Sequence, residues 1–121
     1  MSDMLVVDDD TIVRSIIRNM LLTDGHEVRL ACNGLEAILQ MDQRPADVVI
    51  LDIIMPVREG IETLRVLRRK HPGAKVIAIS GGGRAGPDGY LQLARRLGAH
   101  ATLCKPFGRE ELVAVLQRLA A

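Results

Sequence analysis

The strongest constraint on the fold is an alternation that repeats five times along the 121 residues: a short apolar run, then a longer amphipathic stretch. Three of the runs, at residues 5–7, 48–51 and 76–79, are rich in β-branched side chains. Such uninterrupted apolar runs are typical of strands that are covered on both faces. Alternating strands and helices predict a parallel sheet with right-handed crossovers, so we expect one α/β domain with helices on both faces.

The other predicted elements complete this alternation. Residues 27–31 alternate Val28 and Leu30 with polar residues, which suits a strand at a sheet edge, and a short fifth strand is predicted near 101–104. Asp10 is predicted to cap the first helix because a carboxylate there can accept unpaired backbone N–H groups. Apolar residues at helical spacing predict helices over about 11–23, 35–43, 60–70, 88–97 and 108–119.

Composition excludes several classes of protein. No apolar run approaches the roughly 20 residues of a membrane span. A net charge of +1 and an aromatic content of 2% argue against a nucleic-acid surface that depends on charge or base stacking. We therefore expect no direct nucleic-acid or membrane partner. The start of the chain shows no basic-then-apolar leader, so a cytoplasmic location is expected.

The chain has two cysteines, Cys32 and Cys104, which form no Cys-x-x-Cys unit. A zinc site or a redox motif is therefore not indicated. We interpret both as reduced structural thiols that are buried, as free cysteines commonly are.

Polar residues follow four of the predicted strands at the points where the strands end. These are Asp8 with Asp9, then Asp52, Ser80 and Lys105. The carboxyl ends of parallel strands lie at one edge of the sheet, where open α/β folds bind their ligands. Adjacent strands are about 4.8 Å apart, so these side chains are predicted to converge on one small volume.

The residue types at this edge indicate a particular chemistry. Carboxylate oxygens without His or Cys favour a hard cation such as Mg²⁺. Lys105 adds a positive charge and Ser80 a hydroxyl donor, so the group could bind a phosphoryl group, with Asp52 as the nucleophile. Each residue alone has an ordinary interpretation, as a turn former, a helix cap or a solvated lysine. Their joint placement favours the functional interpretation.

Five segments carry a resemblance to a known family: residues 5–9, 49–56 with Gly60, 76–81, 97–99 and 105–107. Together they resemble the receiver domain of two-component response regulators, of the single-domain chemotaxis type. The resemblance implies a flavodoxin-like three-layer sandwich, with a five-stranded parallel sheet of order 2-1-3-4-5 and five helices. It covers essentially the whole chain, so residues 1–121 are expected to be one receiver domain with no output domain.

The resemblance implies roles for the acidic residues. Asp52 corresponds to the phosphoacceptor, and Asp9 and Asp52 correspond to direct Mg²⁺ ligands. Asp8 is expected to act on the metal through water, and the backbone carbonyl of Ile54 is expected to complete the site.

Further roles follow for the remaining residues of the sheet edge. Ser80 corresponds to the switch hydroxyl, Lys105 to the phosphoryl-binding lysine, and Gly81 follows Ser80 in the same phosphoryl-binding loop. The bond between Lys105 and Pro106 is expected to be cis. Thr102 stands at the switch position where the family has an aromatic residue, so the usual coupling through a buried ring is in doubt. Our hypothesis is that the signal passes instead through the loop of residues 81–83, or partly through Tyr90.

The implied function is phosphotransfer followed by a conformational switch. A sensor histidine kinase or a phosphotransfer protein would phosphorylate Asp52, and the face formed by the fourth helix, fifth strand and fifth helix would then control an effector protein. Beyond its own phosphorylation and slow dephosphorylation, the chain is not expected to be an enzyme. Dimerisation on phosphorylation is left open. Ile54 and Gly82 flank the path of the attacking water in the family and cannot orient it here, so slow self-dephosphorylation is expected.

Two alternatives come from other classes of protein. A flavodoxin-like cofactor binder shares the predicted layers, but Asp8, Asp9 and Asp10 would repel the phosphate that its first loop must hold. A pseudo-receiver, which acts as an interaction module without phosphorylation, is the stronger alternative. It would normally have lost Asp52 or Lys105, and both are present.

Overall fold

The computed structural model of the chain describes residues 2–55, 57–81 and 86–120. Five strands and five helices alternate along the sequence. All the strand pairs are parallel, in the order β2-β1-β3-β4-β5, as the resemblance implies. The elements are β1 (Asp3–Val7), α1 (Thr11–Thr23), β2 (Glu27–Ala31), α2 (Gly34–Gln43), β3 (Val48–Asp52), α3 (Val57–Lys70), β4 (Lys75–Ser80), α4 (Gly86–Arg96), β5 (Ala101–Cys104) and α5 (Arg109–Ala120).

Two hydrophobic clusters cover the two faces of the sheet. Successive side chains of a strand point to opposite faces. Accordingly, Leu5 and Val7 of β1 pack in the cluster that includes α2, α3 and α4. Met4 and Val6 pack in the cluster that includes α1 and α5. The result is the predicted three-layer sandwich, with three helices on one face and two on the other.

The position of each strand in the sheet follows from its sequence. The central β3 is buried along its whole length, as its continuous apolar run indicates. The edge strand β2 alternates apolar and polar residues and is buried only at Ala31, which confirms its predicted place. Within the described part of the chain, each helix is too short or too polar to cross a bilayer.

The start of α1 is fixed by Asp10, as predicted. Its side chain accepts hydrogen bonds from the backbone N–H groups of Ile12 at 2.9 Å and Val13 at 3.3 Å. At the other end, Gly25 adopts a positive φ of 85°, a conformation that favours glycine. The Asp10 cap fixes where α1 begins, directly after Asp8 and Asp9, and Gly25 lies in the turn from α1 to β2.

Two helices begin earlier than the apolar spacing predicted. α3 begins at Val57 instead of residue 60, and α4 begins at Gly86 instead of residue 88. The buried side of α3 is defined by Leu64 and Leu67, so hydrophobic periodicity carries no signal for its first turn. The first turn of α4 contains glycine and proline, which are typical of loops, so the sequence placed the start of the helix later. Proline is nevertheless tolerated in the first turn of a helix.

The expectation of buried cysteines is wrong. Both thiols are free and exposed. Cys32 follows β2 and Cys104 ends β5, and these are the two edge strands, where the sheet is least covered. The Cys32 thiol donates to Glu36 Oε2 at 3.1 Å, and the Cys104 thiol donates to the Lys105 carbonyl at 3.5 Å.

Gly60 allows α3 to pack directly on the turn that follows Asp52. A Cβ at Gly60 would lie 2.7 Å from both the Cα and the carbonyl oxygen of Ile53, which are backbone atoms. We expect Gly60→Ala to lower the free energy of unfolding by about 1–2 kcal/mol, because overpacking costs about 1–3 kcal/mol and the better helix former returns up to about 1 kcal/mol. Urea unfolding measures the change.

The matched control is Gly73→Ala, because a Cβ at Gly73 would meet nothing within 4 Å. This control should change the free energy of unfolding by less than about 0.5 kcal/mol. Equal stability of Gly60→Ala and the unmodified chain would show that the close approach to Ile53 is not a constraint.

Candidate functional site

The polar residues predicted to converge do lie at one edge of the sheet. Asp52 is the last residue of β3 and Ser80 the last of β4, while Asp8 follows β1 and Lys105 follows β5. Because β1, β3, β4 and β5 are consecutive in the sheet, their carboxyl ends form one continuous rim.

The Lys105 ammonium group bridges two of the carboxylates. Its Nζ lies 2.8 Å from Asp8 Oδ2 and 3.1 Å from Asp52 Oδ2. Asp8 is fully buried and Asp52 nearly so, with 4% of its surface exposed. Residues far apart in the sequence therefore share one charge-assisted hydrogen-bond network.

Three carboxylates form a cluster beside this network. Asp8, Asp9 and Asp52 each offer an oxygen, and these oxygens all lie within 4.8 Å of one another. Asp9 is exposed while the other two are buried, so the cluster is open on one side. An open, oxygen-only set of ligands fits Mg²⁺, which keeps several of its waters when it binds to protein carboxylates. The predicted metal-ligating carboxylates are thus brought together.

The environment shifts the pKa values of the two central groups. Burial raises the pKa of Asp52, and the charge of Asp8 adds to this, while the Ile54 N–H and the Lys105 ammonium oppose it. Burial alone would lower the pKa of Lys105, but its bond to Asp8 and the charge of Asp52 outweigh that effect and raise it. Lys105 is therefore charged at neutral pH and partly offsets the negative cluster.

Backbone contacts fix the orientation of both buried carboxylates. Asp52 Oδ1 accepts a hydrogen bond from the Ile54 N–H at 2.9 Å, and Asp8 Oδ1 accepts one from the Asp10 N–H at 2.9 Å. These bonds leave Oδ2 of each carboxylate to Lys105. Ile54 thus contacts Asp52 through its amide, while the role of its carbonyl as a metal ligand stays a prediction.

Arg14 is a residue of the site that the sequence did not reveal. In the structure its guanidinium donates a hydrogen bond to the Asp8 carbonyl at 2.7 Å and so stabilises the loop between β1 and α1. No local pattern connects an arginine on a helix to a backbone carbonyl six residues earlier, so only the folded geometry shows the contact.

The loops after β4 and β5 are also joined. The buried Ser80 hydroxyl donates to the Gly81 carbonyl at 3.1 Å, and the Lys105 N–H donates to the Ser80 carbonyl at 2.8 Å. A Cβ at Gly81 would stand 3.9 Å from Lys105 Cδ, so Gly81 lies against the lysine side chain. The peptide bond between Lys105 and Pro106 is cis, as the resemblance implies. Residues 82 and 83, which our hypothesis on signalling invoked together with Gly81, lie outside the described residues, as does residue 56 of the matching motif.

Comparison with known proteins decides the family. The family model of the response regulator receiver domain matches residues 4–117. The chain belongs to this family. It is a receiver domain of two-component signalling, so the fold and the family predicted from the sequence are confirmed.

Relatives of this receiver domain include single-domain and longer proteins. It is 36% identical to the chemotaxis protein CheY of Listeria monocytogenes, with 99% of each chain covered. It is 34% identical to the transcriptional regulatory protein CpxR of Escherichia coli, of which it spans 49%. Similar solved structures include the receiver domain of NtrX from Brucella abortus (33% identity, TM-score 0.87, 96% of each chain covered) and a putative response regulator from Chloroflexus aurantiacus (28% identity, TM-score 0.88, 99% and 98% covered).

Family membership carries general properties to this site. Receiver domains bind Mg²⁺ at an acidic pocket and work with a histidine kinase and an effector. The cluster of Asp8, Asp9 and Asp52 is the corresponding acidic pocket of this receiver domain.

Repulsion among the crowded carboxylates is expected to lower the free energy of unfolding of the chain. Because the pKa of Asp52 is raised from its ordinary value of 3.8, the folded state binds that proton more tightly than the unfolded state does. Protonated Asp52 therefore adds to the free energy of unfolding. This contribution is present below pH 3.8 and is lost as the pH rises through the raised pKa. At pH 7 without Mg²⁺, Asp52→Asn should therefore raise the free energy of unfolding, by about 0.5–2 kcal/mol.

Urea unfolding at pH 7 and pH 4 tests this expectation. The matched control is Asp47→Asn, since the exposed Asp47 also accepts a backbone N–H, from Asp3 at 2.9 Å, but lies outside the acidic cluster. The control should give no gain at pH 7. A loss of stability in Asp52→Asn at pH 7 would contradict the account of the electrostatics.

Proposed function

We propose that Asp52 accepts a phosphoryl group from a sensor histidine kinase or a phosphotransfer protein in a Mg²⁺-dependent reaction. The observation that carries the proposal is the Lys105 ammonium, held 2.8 Å from Asp8 and 3.1 Å from Asp52 beside an open acidic cluster. In this arrangement Asp52, the proposed nucleophile, lies between a positive charge and carboxylates whose oxygens fit a hard cation.

The chemistry is a direct transfer between two side chains. An Asp52 carboxylate oxygen attacks the phosphorus of a phosphohistidine, the P–N bond breaks, and the imidazole leaves with its electron pair and takes up a proton. The hydrogen bond from the Ile54 N–H holds the Asp52 carboxylate in place. Because burial raises its pKa, this carboxylate is a poorly solvated and more basic nucleophile.

The transferred group brings negative charge that the site must neutralise. A phosphoryl group adds about −1.5 to −2 charges. Lys105 would donate to one phosphoryl oxygen, and Asp8, Asp9 and Asp52, with the Ile54 carbonyl, would hold Mg²⁺. When bound, Mg²⁺ neutralises charge on the phosphoryl oxygens during transfer.

The same charge gives a physical basis for the switch. The Ser80 hydroxyl now donates to the Gly81 carbonyl, and a phosphoryl oxygen on Asp52 would be a stronger, charged acceptor. The Ser80 carbonyl accepts the Lys105 N–H, so a movement of Ser80 is transmitted to β5. We therefore propose that phosphorylation changes the face formed by α4, β5 and α5, through which the receiver controls an effector.

Acetyl phosphate tests the phosphoacceptor directly. With Mg²⁺ present, intact-mass measurement should show one added phosphoryl group, and Asp52→Ala should abolish it because the nucleophile is removed. Asp47→Ala is the matched control and should label as the unmodified chain does. A pseudo-receiver would show no labelling in any variant, and labelling that persists in Asp52→Ala would place the acceptor elsewhere.

The lifetime of the phosphoryl group tests the role of Ile54. Its side chain cannot hydrogen-bond an attacking water, so hydrolysis should be slow. Ile54→Asn should shorten the lifetime about fivefold, the rate equivalent of one hydrogen bond of about 1 kcal/mol. Ile54→Val, which also lacks a polar group, should leave it unchanged. An equal lifetime in Ile54→Asn and Ile54→Val would refute this role.

A further inference from the structure

A cavity opens beside the residue that replaces the family's switch aromatic. Thr102 is half-buried on β5 and lines a cavity of about 240 Å³ between α4 and α5. A threonine is much smaller than an aromatic ring, so the cavity lies where the resemblance leads one to expect a ring. Its walls include Arg95 of α4 and Arg118 of α5, with Val115 and Leu119 as apolar surface.

The polar side chains of this cavity are hydrogen-bond donors. Arg95 and Arg118 are exposed, and neither forms an ion pair with the residues that the structure describes. His100 accepts the Val76 N–H through Nδ1 at 3.0 Å, so a neutral ring carries its proton on Nε2. Burial lowers the pKa of His100, and the charges of Arg68 and Lys75 lower it further.

Within the described residues, no carboxylate lines the cavity to balance these donors. We propose that it binds a carboxylate side chain on an acidic segment of the effector protein. The two guanidinium groups would pair with the carboxylate, and Val115 and Leu119 would contact its methylene groups. This inference rests on the proposed function for the use of this face as the output surface.

A second copy of the chain is the less favourable occupant of this face. A two-fold interface brings the same patch of each subunit together, so it must be complementary to itself. A second copy would have to bring carboxylates from the same patch to Arg95 and Arg118, and within the described residues none lines the cavity.

Backbone pairing connects the cavity to the phosphorylation site. In the register of β4 with β5, Thr102 pairs with Ala78 and Cys104 pairs with Ser80. A shift of Ser80 toward a phosphoryl group on Asp52 would therefore displace the strand that forms the cavity wall. Phosphorylation is expected to change the affinity for the acidic segment.

The probe is an acetylated, amidated hexaglutamate peptide, and hexaglutamine is its uncharged control. In an NMR titration of the full chain, hexaglutamate should shift the amide signals of residues 100–102 and Arg118, while hexaglutamine should not. Arg95→Gln and Arg118→Gln should each weaken binding by about two- to fivefold, as expected for exposed charge pairs. Arg96→Gln removes another exposed charge of α4, outside the cavity, and should weaken binding less.

Three results would overturn the proposal: equal binding by Arg95→Gln, Arg118→Gln and Arg96→Gln; amide shifts confined to other parts of the chain; or a dimer in sedimentation that disappears in Arg118→Gln. Repeating the titration with beryllofluoride, a phosphoryl mimic, should change the affinity at least twofold, and an unchanged affinity would reject the link to phosphorylation. Failure of beryllofluoride to bind at Asp52 would instead count against the proposed function. It would not count against binding at the cavity, because that binding is measured in the first titration, without beryllofluoride.

Discussion

One ammonium group determines the arrangement of the carboxyl edge of this sheet. Lys105 is the positive charge that touches both buried carboxylates, Asp8 and Asp52, and without it their mutual repulsion in a poorly solvated site would be uncompensated. The backbone of the same residue is bonded to Ser80 at the end of β4. The side chain therefore offsets part of the charge of the acidic cluster, while the main chain joins β5 to the strand that ends in Ser80.

These two attachments of Lys105 give a physical route by which a change of charge at Asp52 could alter the surface formed by β5. The groups around Asp52 are held by short, directional contacts from Ile54, Lys105 and the buried core of β3, so the site cannot absorb extra negative charge by relaxing freely. The loops after β4 and β5 are the connected elements able to respond. The cavity beside Thr102, which we propose binds a carboxylate of the effector, is lined by residues of the same strand, β5.

The sequence predicted most of the fold and the site because both depend on strong, local signals. Continuous apolar runs identified β1, β3 and β4, and the polar residue that closes each run marked the edge where Asp8, Asp52 and Ser80 converge. What it could not predict depends on three-dimensional contacts. The first turn of α3 has no apolar spacing, the support of Asp8 by Arg14 crosses from helix to loop, and the exposure of Cys32 and Cys104 follows from incomplete coverage at the sheet edges.

The central claim, that Lys105 and the acidic cluster act together around an acceptor carboxylate, is tested most directly by a crystal structure of the chain with Mg²⁺ and beryllofluoride. The account predicts beryllofluoride on an oxygen of Asp52, Lys105 Nζ within hydrogen-bond distance of a fluoride, and Mg²⁺ bound by Asp9 and Asp52. A Lys105 side chain turned away from Asp52, or beryllofluoride bound at another residue, would contradict it.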